Sequence, residues 1–225
     1  MSRHIDPAEV AQRIESLRAD LARLAPDRSI EIVVVTKGFE VDAPRAALAA
    51  GVTKIGENYA QELIAKHEHL TEEERARIEW QFLGRLQRNK VRALAPIVAV
   101  WQSVDRPELI DEIARRAPRA RVMIQVDLSG EPQKGGAAIT EVSALVDRAR
   151  SGGLDVVGLM GVGAAEDPGR TESGFTSLVA LAESLGLPQR SIGMSGDLEV
   201  AVAAGSTMVR VGTGLFGARS GIAGR

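Results

Sequence analysis

Amine chemistry has few candidates in this chain, because its 225 residues include only five lysines: Lys37, Lys54, Lys66, Lys90 and Lys134. Lys37 alone follows a long, strongly apolar run, in VVVTKGF. An amine ringed by apolar walls at a strand end is pushed towards its neutral form by desolvation. In that form it condenses with an aldehyde to give a Schiff base. A solvated lysine at a strand end is the plainer reading of the same position. Towards the C-terminus, the run MVRV leads into Gly212, Thr213 and Gly214. Glycines let backbone N–H groups close on an anion, and a hydroxyl adds a donor. Upstream, Ser195-Gly196-Asp197 opens a helical segment. Taken singly, Ser195 also suits an ordinary N-cap, and the glycines suit a tight turn. Arg210 lies in an apolar strand between Val209 and Val211. A guanidinium buried there needs either a carboxylate on a neighbouring strand or a ligand in a pocket. Strand alternation puts Arg210 and Gly212 on the same face.

The elements that must position these groups alternate along the chain. Pro7–Leu24 places Val10, Ile14, Leu17, Leu21 and Leu24 at helical spacing, with Asp6 as cap and Pro7 in the first turn. Strand signals follow at residues 30–36, 53–56, 80–83, 97–101, 121–128, 154–160, 191–194 and 208–211. Helical signals lie between them at 44–50, 59–69, 86–94, 106–116, 139–149, 171–185 and 197–204. Eight apolar strands separated by helices imply a parallel sheet and suggest an α/β fold of the (β/α)8 TIM-barrel type. A doubly wound open sheet has the same periodicity. No composition shift marks a boundary, so residues 1–225 are expected to form a single domain with a frayed tail at 220–225. In a barrel the loops after strands seven and eight frequently hold phosphate, and the active face is the rim of strand C-termini.

Composition excludes several classes. The 28 basic and 30 acidic side chains nearly balance, at pI near 6.0, which argues against a generic nucleic-acid footprint. Aromatics at 3% disfavour base stacking. Zero cysteines exclude disulfides, thiolate metal sites and cysteine nucleophiles. No run approaches the roughly 18 uncharged apolar residues that span a bilayer. Residues 1–10 carry charges and a proline where a signal peptide needs an apolar core. These features predict a soluble cytoplasmic protein that binds neither nucleic acid nor membrane.

A lysine for an aldehyde, a phosphate cradle and an arginine together describe a pyridoxal 5′-phosphate (PLP) site. The stretches VVVTKG, IGENYAQE, WQFLGRLQRNK, SVDR, GLMGV and GMSGDLEVAVAAGSTMVRVGTGLFGAR lie in order along the chain, spanning about residues 30–219. On these the chain resembles the YggS/PROSC family of pyridoxal phosphate homeostasis proteins. The resemblance implies the N-terminal barrel of alanine racemase, a fold-type III PLP barrel without that enzyme's β-domain. It implies that Lys37 binds the cofactor covalently, that Ser195, Gly212 and Thr213 hold the phosphate, and that Arg210 faces the pyridine ring. Asn58, in GENY, resembles a pocket residue; its plainer reading is the cap of the helix that follows. A monomer is expected, since the missing domain supplies much of the racemase dimer, and PLP-dependent apo-enzymes are the implied recipients of the cofactor.

Some positions depart from the commoner family pattern. Gly38-Phe39 stand where Thr-Lys often does, Gln81 where histidine often does, and Arg85 where proline often does. Lys134, in EPQKGG, resembles a basic position common in the family and otherwise reads as a solvated loop lysine. A permanently cationic Arg210 would oppose protonation of the ring nitrogen and so weaken the electron sink. A racemase also wants a second base; the chain offers Tyr59 and, in KHEHL, His67 and His69, expected to be solvated. The expectation is a PLP-binding protein that buffers or delivers the cofactor without catalysis. The alternatives are an amino-acid racemase and a phosphate-ester barrel enzyme unrelated to PLP.

Overall fold

The computed structural model describes residues 5–131, 133–164 and 166–217. The tail expected at 220–225 lies outside them. Helix α1 (Pro7–Leu24) starts where Asp6 accepts the Ala8 N–H at 2.9 Å, and it buries Val10, Ile14 and Leu21. Then follow β1 (Glu31–Val35), α2 (Asp42–Ala49), β2 (Lys54–Glu57), α3 (Ala60–His69), α4 (Glu72–Arg77), β3 (Glu79–Phe82) and α5 (Arg88–Leu94). Next come β4 (Val98–Val104), α6 (Pro107–Arg116), β5 (Arg121–Val126), α7 (Val142–Ser151), β6 (Asp155–Gly161) and α8 (Pro168–Ser184). The chain closes with β7 (Gln189–Ser191), α9 (Leu198–Ala204), β8 (Met208–Val211) and α10 (Thr213–Phe216).

All neighbouring strands are parallel and the sheet closes as a barrel in sequence order. The closing ladder joins β1 to β8 through Glu31↔Met208, Ile32↔Val209, Val33↔Arg210 and Val34↔Val211. That ladder excludes the open sheet and makes the molecule a TIM barrel. The seam between β7 and β8 is thinner. It has the single register pair Ser191↔Met208, and the Ser206 hydroxyl spans it, donating to the carbonyls of Ile192 at 2.7 Å and Met208 at 3.0 Å.

Alternation along the strands creates two apolar cores. Outward-facing side chains such as Val34, Ile55, Trp101 and Ile124 pack beneath the helices. Val33, Val100, Met123, Met160 and Met208 form a separate cluster inside the barrel.

Several boundaries differ from expectation for local reasons. The seventh strand sits at Gln189–Ser191 rather than 191–194. Gly193, at φ +101°, turns the chain away, and polar Gln189 and Arg190 mask the strand signal. The neighbouring strand accommodates β7 because Gly158 has no side chain: a Cβ there would lie 2.1 Å from the Gln189 carbonyl oxygen. Helix α4 has no buried residue and so no periodic apolar signal, and a Thr71–Glu74 capping box marks its start. The glycine-rich segment after β8 forms a helical turn, α10, rather than a simple loop.

Candidate functional site

The C-terminal ends of the strands surround a cavity of about 470 Å³. Lys37, Asn58, Ser195, Arg210, Gly212 and Thr213 all line it. Residues expected to act together from positions nearly 180 apart in sequence are thus brought to one rim by barrel closure. A second hollow of about 430 Å³ lies at the opposite end, around the strand N-termini, and holds none of them.

Lys37 sits in the turn after β1, which is braced on both sides. Gly38 adopts φ +74°, a left-handed conformation that suits glycine, and donates its N–H to Glu62 Oε2 at 2.7 Å. Thr36 is fully buried; its hydroxyl donates to Glu57 Oε1 at 2.7 Å. Lys66 Nζ donates to the Thr36 carbonyl at 2.8 Å and to Glu62 Oε2 at 3.2 Å, and forms a close ion pair with Glu57. Burial pushes the Glu57 carboxyl pKa up, opposed by the Lys66 charge and by the bonds from Lys66 and Thr36. A buried ionic cluster therefore holds the backbone flanking Lys37 in place.

Asn58 directly follows β2 and does not cap α3; the capping position falls to Tyr59, with no side-chain bond. Its backbone is clamped by the loop after β3, where a Cβ on Gly84 would lie 1.9 Å from the Asn58 carbonyl oxygen. Ser195 is not a helix cap either, because α9 begins after Asp197. The Ser195 hydroxyl would lie 3.0 Å from a Cβ at Gly214, so the loops after β7 and β8 meet at this point. Gly212 caps α10 and lies against the β1 backbone; its missing Cβ would be 2.8 Å from the Val35 carbonyl oxygen. The Leu215 and Phe216 N–H groups bond back to the Gly212 carbonyl. The N–H groups of Thr213 and Gly214 precede the first helical bond, positions that have no acceptor within the helix itself.

Arg210 is 5% exposed. Its Nη1 donates to the Ser191 carbonyl at 2.5 Å and the Ser191 hydroxyl at 2.7 Å, and its Nη2 donates to the Gly161 carbonyl at 2.7 Å. All these partners are neutral, so the expected alternative of a neighbouring carboxylate is not what the barrel supplies. Burial pushes the guanidinium pKa down to about 10, partly offset by the charge of Asp197, and leaves it cationic at neutral pH. A buried cation whose contacts among the described residues are neutral makes the cavity floor receptive to negative charge.

Further residues line the cavity that the sequence reading did not assign. Gln125 interrupts the apolar run of β5, a signal that alternation could have caught, and its Nε2 donates to the Lys134 carbonyl at 2.8 Å. Lys134 itself is at the cavity rather than a solvated loop lysine: Nζ bonds Glu131 Oε1 at 2.6 Å and the Gly163 carbonyl at 2.9 Å. Phe39 lines the mouth where a second lysine is common in the family. The candidate second bases are elsewhere. Tyr59 is 56% exposed, and neither it nor His67 nor His69 lines the cavity. His67 is half-buried rather than solvated, with its pKa lowered by burial and by Arg75.

Fold and cavity define the class: a TIM barrel with its cavity at the strand C-termini, a lysine behind β1 and a buried arginine in β8. The family described as "Alanine racemase, N-terminal domain" matches residues 5–220. A Vibrio alginolyticus protein named "Pyridoxal phosphate homeostasis protein" is 37% identical over 203 residues, covering 85% of this chain and 87% of its own. An Escherichia coli protein of the same name is 35% identical over 224 residues, covering 94% of each chain. The structure of PipY of Synechococcus elongatus with PLP bound superposes with TM-score 0.79 at 30% identity, over 92% of this chain and all of that one. The chain belongs to the alanine racemase N-terminal domain family and, within it, to the pyridoxal phosphate homeostasis proteins.

Proposed function

We propose that this protein binds PLP covalently in the rim cavity and buffers or delivers it in the cytoplasm, as a single barrel unit and a monomer, without catalysing a reaction of its own. The observation that carries this reading is the meeting of Lys37 and a buried Arg210 with neutral contacts in one cavity. The donor set fits the cofactor: an amine for an aldehyde, the Ser195 and Thr213 hydroxyls with backbone N–H groups for a phosphate, and a guanidinium for an electron-rich ring atom. When bound, PLP supplies an aldehyde for a lysine and a ring that drains electrons if its nitrogen is protonated.

The chain's residues govern the rest. The braced turn aims the Lys37 amine from β1. Ser195 and Thr213 would donate to phosphate oxygens, and Asn58 lines the wall of the same cavity. Arg210, cationic and fixed in β8, would oppose a proton on a ring nitrogen placed against it. Lys134, the other lining amine, is held by Glu131 and Gly163. These features favour holding the cofactor over the racemase alternative. Relatives named for PLP homeostasis support the same reading, and PLP-dependent apo-enzymes are the recipients it implies.

The test is an absorption spectrum with added PLP, before and after borohydride, followed by peptide mapping. A visible band and a reduced PLP adduct on Lys37, absent in Lys37→Ala, are expected. Folded protein that takes up no PLP, or label on another lysine with Lys37→Ala still coloured, refutes the site. Deuterium exchange at Cα of alanine or serine, lost in Lys37→Ala, would instead establish catalysis.

A further inference from the structure

The middle of a TIM barrel is ordinarily filled by bulky branched apolar side chains. Here Gln81, Gln102 and Ser191, each fully buried, occupy it beneath the cavity floor. Burying such groups is costly unless every one is bonded. They are bonded to one another in a directed line. Arg210 Nη1 donates to Ser191 Oγ at 2.7 Å, and that hydroxyl donates to Gln102 Oε1 at 2.7 Å. Gln102 Nε2 donates to Gln81 Oε1 and also faces Met208 Sδ at 3.3 Å. Gln81 Nε2 donates to Glu79 Oε1 at 3.1 Å. Glu79 is paired at the opposite rim with Arg121, at 3.1 Å.

We propose that Ser191, Gln102 and Gln81 are positioning residues, a hydrogen-bonded line that fixes the Arg210 guanidinium at the cavity floor and couples it to the Glu79 carboxylate at the far end of the barrel. The direction of each bond follows from the two charged ends. Arg210 can only donate, so Ser191 Oγ must accept from it and spend its own proton on Gln102. Glu79 can only accept when ionised, so Gln81 must present its amide N–H and leave its oxygen to Gln102. Every oxygen then faces the cation and every proton faces the anion, so the aligned dipoles stabilise both charges and polarise one another. Among the described residues no carboxylate bonds Arg210, and this line substitutes for one. Its middle members do not titrate, so the setting of Arg210 stays the same across neutral pH. Apolar side chains in place of Gln102 and Gln81 would leave the Ser191 hydroxyl without its Gln102 acceptor, so nothing would fix the oxygen that receives the Arg210 bond.

The inference rests on the PLP reading, and the experiment separates the two. Wild type, Gln102→Met, Ser191→Ala and, as a control, Met123→Leu are compared. Met123 belongs to the interior cluster but not to the line. The readouts are thermal melting, the borohydride-fixed adduct on Lys37, the PLP dissociation constant and the pH titration of the visible band. Gln102→Met and Ser191→Ala are expected to keep the adduct on Lys37, weaken PLP roughly fivefold and shift the midpoint of the band's titration. Met123→Leu is expected to leave the constant and the midpoint at wild-type values. Folded Gln102→Met or Ser191→Ala with wild-type affinity and titration overturns the relay while leaving the PLP reading intact. A shift of equal size in Met123→Leu also overturns it, by showing a general packing effect. Wild type without an adduct overturns both. Should Gln102→Met fail to fold, Ser191→Ala, which removes only a hydroxyl, decides the question by the same measurements.

Discussion

The Phe39 and Phe216 rings pack with centroids 5.0 Å apart and planes tilted by 49°. This contact ties the turn that carries Lys37 to the helical turn that starts at Thr213, across the closing seam between β1 and β8. The two segments proposed to take the ends of the ligand are therefore tied together by a pair of aromatic side chains.

Removing one ring should loosen that tie. Phe39→Ala is expected to lower stability by about 2 kcal/mol and to weaken PLP retention, whereas Phe39→Leu recovers most of both. Urea unfolding and equilibrium dialysis measure the effects. Equal behaviour of the alanine variant and wild type would show that the rings meet without consequence.

Gly84 gives a sharper contrast. Its Cβ would meet the Asn58 backbone, which cannot swing aside as a side-chain tip could, while nothing lies within 4 Å of a Cβ on Gly196. Gly84→Ala is expected to cost about 3 kcal/mol, and Gly196→Ala to stay within about 0.5 kcal/mol of wild type. Chemical denaturation of the two variants side by side is the measurement, and a well-tolerated Gly84→Ala contradicts the clamp on Asn58.

The ionic cluster behind Lys37 predicts a pH signature. Lys66→Met strands Glu57 in the interior and is expected to cost about 3–5 kcal/mol near neutral pH. Burial already raises the Glu57 pKa from its ordinary 4.5, and without Lys66 it rises further. A carboxyl whose folded pKa exceeds its unfolded value favours the fold while protonated, and that contribution is lost as pH rises through the folded value. The deficit of Lys66→Met should therefore shrink as pH falls towards 4.5, and Glu57→Gln with Lys66→Met should remove most of it. Unfolding free energies at about pH 5 and pH 8 test this, and a deficit independent of pH counts against it.

Glu112 on α6 has the opposite sign. Hydrogen bonds from Arg115 and Arg116 hold its carboxyl at about 2, below its ordinary 4.5. Its contribution is fully present above the unfolded value and fades as pH drops from about 4.5 towards 2. The melting-temperature gap between wild type and Glu112→Gln should narrow over that window; a gap of constant width would refute the assignment.

Much of this architecture was legible because the strands are apolar on both faces, as buried parallel strands must be. The run around Val33 and Val34 and the run into Arg210 stood out for that reason. The seventh strand was expected two residues too late, since Gln189 and Arg190 carry no apolar signal and Gly158 on the neighbouring β6, rather than any feature of β7, makes room for it. Lys37, Ser195, Arg210 and Gly212 were visible because each is a reactive or permissive residue next to an apolar run. The place of Lys134 at the cavity and the close approach at Gly84 were not, because they depend on contacts with Gly163 and Asn58 from loops distant in sequence. Closure of the barrel, which sequence period cannot express, turned separate strand ends into one cavity.

The joint between β7 and β8 has further meaning for how the molecule yields. A cylinder comes apart first at its least-fastened stave, and here one register pair stands where the joint between β1 and β8 has four. Ser195 and Arg210 flank that stave, while Lys37 is moored to the better-fastened one. Small fluctuations of the wall are accordingly expected to part Ser195 from Arg210 before they disturb Lys37, so amide exchange at Arg210, whose N–H bonds the Gly193 carbonyl, should outpace exchange at Val33.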